Sequence, residues 1–230
     1  MTLQPPVFGT SAQARSIFTG TVLLAPGKGR VDIASGSGPA LDFRAGDYLL
    51  LPDSARLVYL RPPSQEFWNM DSPFLNPYAQ LAAGAGQISA SGGRVSMDTL
   101  GGGDSAGTFA TRRFRITAEY TVTSGATNVP AGIRIELTVA QTPIRFGSAP
   151  IAGAQTFGLP VPPAMMSGIR GYLSEATAGG VVVNAVSTSW FVASGTEVNT
   201  IVTTRIADLR AADAEEAKLA MPSGFRAGGG

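Results

Sequence analysis

The sequence predicts an all-β fold of antiparallel strands, and three observations carry that expectation. Short runs rich in Val, Ile, Leu, Thr and aromatics recur along the chain, separated by Gly, Pro, Ser and Asp clusters at turn spacing. Two segments, TRRFRITAEYTVT (Thr111 to Thr123) and IRIELTVA (Ile133 to Ala140), alternate apolar and polar residues with the period of a half-buried strand. Strong helix formers gather only near the end of the chain.

Met1 to Arg15 is expected to be an extended arm, because Pro5 and Pro6 favour polyproline geometry and little there builds a core. Both prolines are candidate assembly contacts. A first β region, residues 16–100, starts with SIFTGTVLL (Ser16 to Leu24), GRVDI (Gly29 to Ile33), DYLLL (Asp47 to Leu51) and LVYLR (Leu57 to Arg61). Short strands at that rhythm predict a jelly-roll or β-sandwich, as one large or two small barrels.

Pro62 to Ala82 reads as a long connection carrying Phe67, Trp68, Phe74 and Tyr78. Loops of that length are usually functional or packed against something. Two readings stay open: an aromatic plug at the end of a barrel, or an anchor for a neighbouring subunit, which makes the four aromatics candidate assembly contacts. Gly84 to Gly107 is rich in Gly, Ser and Ala and is expected to be a boundary or flexible loop before the second half, residues 108–206. Its GGGDSAG run is no phosphate loop, since no Lys followed by Ser or Thr closes it.

In the second half the alternation sends Phe114, Ile116, Ala118, Tyr120 and Val122 to one face, and Ile133, Ile135, Leu137 and Val139 of the next run likewise inward. The two runs suit a hairpin joined by SGATNVPAG. After a Pro- and Gly-rich passage from Gly147 to Gly168, GGVVVNAVSTSWFVAS and TEVNTIVTTRI supply two more β-rich runs. ADLRAADAEEAKLAM (Ala207 to Met221) predicts one short C-terminal helix, stopped by Pro222, within a terminal piece spanning 207–230.

Composition then limits the chemistry. A chain of 230 residues can bury one large core or two small ones. It is 14% charged, against roughly 25% in an average soluble domain, so much of the surface is expected to be covered by neighbours. With no His and no Cys, imidazole catalysis, thiol nucleophiles, disulfides and zinc sites of the N/S kind are all excluded. The net charge of +1 gives no strong field for nucleic acid or an anionic membrane. No basic start followed by an apolar run opens the chain, so a soluble product not exported by a standard signal is expected.

Gly46, Asp47 and Pro52 resemble a half-motif of the cupin barrels, in which a Gly-Asp pair opens a strand and a Pro follows six residues after the Gly. The resemblance covers about residues 20 to 62 and implies a jelly-roll strand pair; the metal-binding His of that family has no counterpart here. No metal or cofactor is expected. Carboxylate catalysis would need two close acids. Glu119 and Glu136 face outward on adjacent runs, but Arg115 and Arg134 nearby explain them as charge balance on a solvated sheet. Arg112, Arg113 and Arg115 are candidate phosphate contacts, and a surface ion-pair face is the simpler reading.

Low charge, missing reactive side chains, many short β runs, an N-terminal arm and a glycine tail together resemble a viral, bacteriophage-type jelly-roll capsid or cement protein. That resemblance implies a non-enzymatic virion protein, made in the host cytoplasm, that forms trimers, pentamers or a larger shell with other virion proteins above a membrane or DNA. It implies no small-molecule substrate. The competing expectation is a metal-free cupin-like or carbohydrate-binding barrel using Trp68 or Trp190 as a stacking platform.

Overall fold

In the computed structural model, residues 17–37, 44–53, 56–69, 88–124, 126–143, 161–193, 195–206, 209 and 216–228 are described. They form β1 (Ile17–Ala25), β2 (Lys28–Ser37), β3 (Tyr48–Asp53), β4 (Arg56–Arg61), β5 (Glu66–Asn69), β6 (Ile88–Ala106), β7 (Phe109–Ser124) and β8 (Thr127–Gln141). A helix, α1 (Pro163–Thr177), precedes β9 (Gly180–Ala193), β10 (Thr196–Arg205) and β11 (Arg226–Ala227).

The all-β, sandwich-like expectation holds: the strands form two sheets, ordered β1-β2-β3-β4-β5-β11 and β10-β9-β8-β7-β6, antiparallel except where β11 runs parallel to β5. Among the described strands both sheets are open meanders. Apart from β11, strands adjacent within each sheet are consecutive along the chain, so the crossing connections of a jelly roll and the closure of a barrel are not what these described strands realise.

The second sheet has the larger core. Phe114, Ile116, Ala118, Tyr120 and Val122 of β7 are buried together with Ile133, Ile135, Leu137 and Val139 of β8, as the alternation requires. Register pairs Phe114 with Leu137, Ile116 with Ile135 and Ala118 with Ile133. The hairpin is tighter than expected, because both strands extend through most of SGATNVPAG and leave only residues 125 and 126 between them. The helix α1 lays Met165, Ile169, Leu173 and Ala176 on this face, a stripe at i, i+4, i+8 and i+11.

One expectation is corrected. Gly84 to Gly107 is not a flexible boundary: from Ile88 it is the long edge strand β6, paired with β7 through three irregularities, at Ser91/Arg94, Thr99/Gly101 and Gly103/Ala106. Its glycines serve those bulges. Gly92 and Gly93 have φ of 64° and 108°, and a Cβ on Gly93 would lie 2.2 Å from the Glu119 carbonyl oxygen. The division between the sheets therefore falls between Asn69 and Ile88. The helix α1 stands where no helix is expected. It lies at Pro163–Thr177; the helix expected over 207–221 falls mostly outside the described residues, and its described end holds a 3₁₀ turn, Glu216–Leu219, with Leu219 buried. Proline is admitted at the first helical position, where its missing N–H leaves no bond unmade.

The first sheet has a smaller core of Tyr48, Leu50, Val58 and Leu60, closed by Phe67 and Phe225. Leu51 and Val181, with Leu24 and Ile206, join the two sheets.

Candidate assembly surfaces

On the first sheet, β4 presents Tyr59 and Arg61 to one face, and the turn before β3 brings Asp47 beneath them. Asp47 is 1% exposed. Its Oδ2 accepts the Tyr59 hydroxyl and the Arg44 backbone N–H, the latter at 3.0 Å, and lies 3.5 Å from Arg61 Nε. Arg61 Nη2 donates to the Tyr59 hydroxyl at 2.7 Å. Burial and, secondly, the hydrogen bond to Asp47 push the Tyr59 phenol up to about 12. The Gly-Asp turn thus anchors a buried ionic cluster. Sequence reading assigns Asp47 to the turn alone; the alternation of Tyr59 and Arg61 opposite that turn is the signal for the rest.

Trp68 on β5 lies opposite Tyr59, their rings stacked 5.4 Å apart, and the Arg61 guanidinium lies 5.6 Å and 5.7 Å from the two ring centres. The chain returns over this aromatic pair. Gly228 packs so closely that a Cβ there would lie 2.2 Å from the indole, while its N–H donates to the Phe67 carbonyl at 2.8 Å. Phe67 and Trp68 are therefore engaged within the chain, one against the first core and one under the C-terminal segment. Pro5, Pro6, Phe74 and Tyr78 lie outside the described residues.

The outer face of the second sheet, opposite α1, is polar. Arg115 and Glu136 face each other in register and pair at 2.9 Å; Glu119 pairs with Arg94 at 4.0 Å. The two glutamates are thus set against arginines and not against each other. The candidate arginines divide: Arg113 and Arg115 lie on this outer face, while Arg112 shares the Phe114 side, so the three do not form one basic patch. Trp190 lies across Gly132, where a Cβ would lie 2.5 Å from its six-membered ring.

The edges differ from the faces. Of the three large apolar residues exposed among the described ones, Val22 at 38% lies on edge strand β1 and Ile201 at 50% on edge strand β10. The third is Met221. Among the described residues no strand pairs with the outer side of β1, β6 or β10. Compared with known proteins, the chain matches no family model, no curated protein and no solved structure.

Proposed function

We propose that the chain is a structural virion protein, a bacteriophage shell component that self-assembles through sheet edges and terminal arms. Head decoration or cement is a variant of the same mechanical role. The carrying observation is the placement of Val22 and Ile201: exposed apolar side chains sit on open edge strands, where unpaired N–H and C=O groups already invite another strand. The low content of charge, with Arg–Glu pairs set against each other on the outer face, supports the same reading by leaving little to repel a neighbouring copy. Affinity in such a role comes from buried area and repetition.

Light scattering and analytical ultracentrifugation across a concentration series test this. Trimers, pentamers or larger particles are expected, and deletion of residues 1–15 should impair their formation while the β spectrum stays unchanged. A monomer at every concentration overturns the reading.

One feature favours a second reading, a carbohydrate binder: Trp190 lies across Gly132 on the outer face, in the row that holds Glu119 and Asn199. A glycan screen separates the two, since sugar binding lost in Trp190→Ala by a monomeric chain belongs to a binder.

A further inference from the structure

The three edges are not equally protected. β6 is broken by three bulges, and β1 by an irregularity at Thr19/Gly20. β10 is regular: its ten residues pair with β9 without a register shift, and TEVNTIVTTR contains no Pro, Gly or Lys. Natural sheets blunt an edge by such devices unless something covers it.

The side chains of β10 on the outer face also have a symmetry. Glu197, Asn199, Ile201, Thr203 and Arg205 are all exposed and alternate along the strand. Ile201 stands at the centre, and the only two charges stand at equal distances on either side with opposite sign. Neither Glu197 nor Arg205 has an ion-pair partner among the described residues.

We propose that β10 pairs antiparallel with β10 of a second copy, about a twofold axis at Ile201, fusing the two second sheets into one continuous sheet. This register sets Glu197 against Arg205 of the second copy twice over, Asn199 against Thr203, and Ile201 against itself, so the most exposed large apolar residue among those described is covered at the axis. Sliding by two residues loses both ion pairs and sets Ile201 against Asn199 or Thr203, according to direction. Sliding by one sets odd positions against even ones and turns the copies' faces to opposite sides. The inference rests on the self-assembly reading and names the partner, edge and register for it.

Charge reversal in the full chain tests it. Glu197→Arg places Arg opposite Arg and Arg205→Glu places Glu opposite Glu, so each variant alone should self-associate about tenfold more weakly or worse. Mixed in equal amounts, the two variants are complementary at both positions and should recover wild-type association as a heterodimer. Because the chain has no Cys, Ile201→Cys adds a unique thiol: opposed Cα atoms are about 4.5–5.5 Å apart in an antiparallel pair, a span that a disulfide bridges. Air oxidation should cross-link it, whereas Asn199→Cys, about 13 Å from its own copy at 3.3 Å per residue, should not link.

A monomeric wild type overturns this inference together with the assembly reading. An associating wild type whose single charge variants associate equally well, or whose Ile201→Cys variant keeps its thiols free under oxidation, overturns the β10 pairing alone.

Discussion

Replacing Asp47 by alanine removes the acceptor at the centre of the first sheet's ionic cluster while leaving the apolar core residues in place. Two donors lose it where water reaches poorly: the hydroxyl of Tyr59, which is 4% exposed, and the Arg61 side chain, which is 21% exposed. An orphaned buried donor costs about 1–3 kcal/mol, more when charged, and breaking a fully buried ion pair costs about 3–5 kcal/mol. Arg61 can partly regain water and Arg44, an exposed residue, can offer its N–H to solvent, so the expected loss is about 3 kcal/mol. Asp47→Asn keeps an oxygen for Tyr59 and loses only the charge; about half that cost is expected. Urea unfolding followed by fluorescence is the assay, because Trp68 lies in the first sheet and Trp190 in the second, and Trp→Phe variants isolate each reporter. The Trp68 transition should move to lower urea. A loss below about 1 kcal/mol for Asp47→Ala would refute the argument, since it would mean that the cluster is hydrated and its partners are not held by the carboxylate.

Gly132→Ala should destabilise the second sheet by about 1–3 kcal/mol through overpacking, because the added Cβ would lie 2.5 Å from Trp190 and 2.7 Å from the Ala118 carbonyl oxygen; the Trp190 emission maximum should shift as the indole is displaced. High pH should unfold the chain in a defined window. Burial pushes the Tyr59 and Tyr120 phenols up to about 12, so the folded state keeps protons that the unfolded chain releases above pH 10. The contribution of these groups to stability is fully present below pH 10 and is lost as pH rises towards 12, measured by urea midpoints at each pH and by phenolate absorbance. Tyr48, also raised by burial, acts in the same direction.

What was legible in the sequence follows from how local each cause is. The strands β7 and β8 could be read residue by residue because one face is buried and the other solvated, which imposes a period of two on the side chains. β6 was not legible: its glycines look like a linker, and the strand exists because β7 supplies a partner and the bulges need residues without a Cβ. The helix α1 was hidden by Pro162, Pro163, Gly168 and Gly171, and its stability lies in packing Met165, Ile169 and Leu173 on the sheet. Gly168 permits that approach, since a Cβ there would meet Val95 at 3.3 Å. The Asp47 cluster needs the register of β3 against β4, and the exposure of Ile201 needs the sheet order; neither is a property of a short window.

The contrast between the two edges of the second sheet bears on how large an assembly can grow. An unprotected edge left open would template indefinite strand addition, yet twofold pairing of β10 with itself uses the edge up in one step, leaving the bulged β6 strands as the outer limits of the joined sheet. Growth beyond a pair must then use other surfaces, and the first sheet offers the β1 edge with Val22. Among the described residues the two sheets have separate cores, and the Leu51–Val181 cluster draws on both. A shell built this way alternates a closed contact at β10 with a second kind of contact elsewhere. On that basis a variant impaired only at Glu197 or Arg205 should stop large particles while preserving whatever smaller ring the other contacts form, which native mass measurement distinguishes from a monomer.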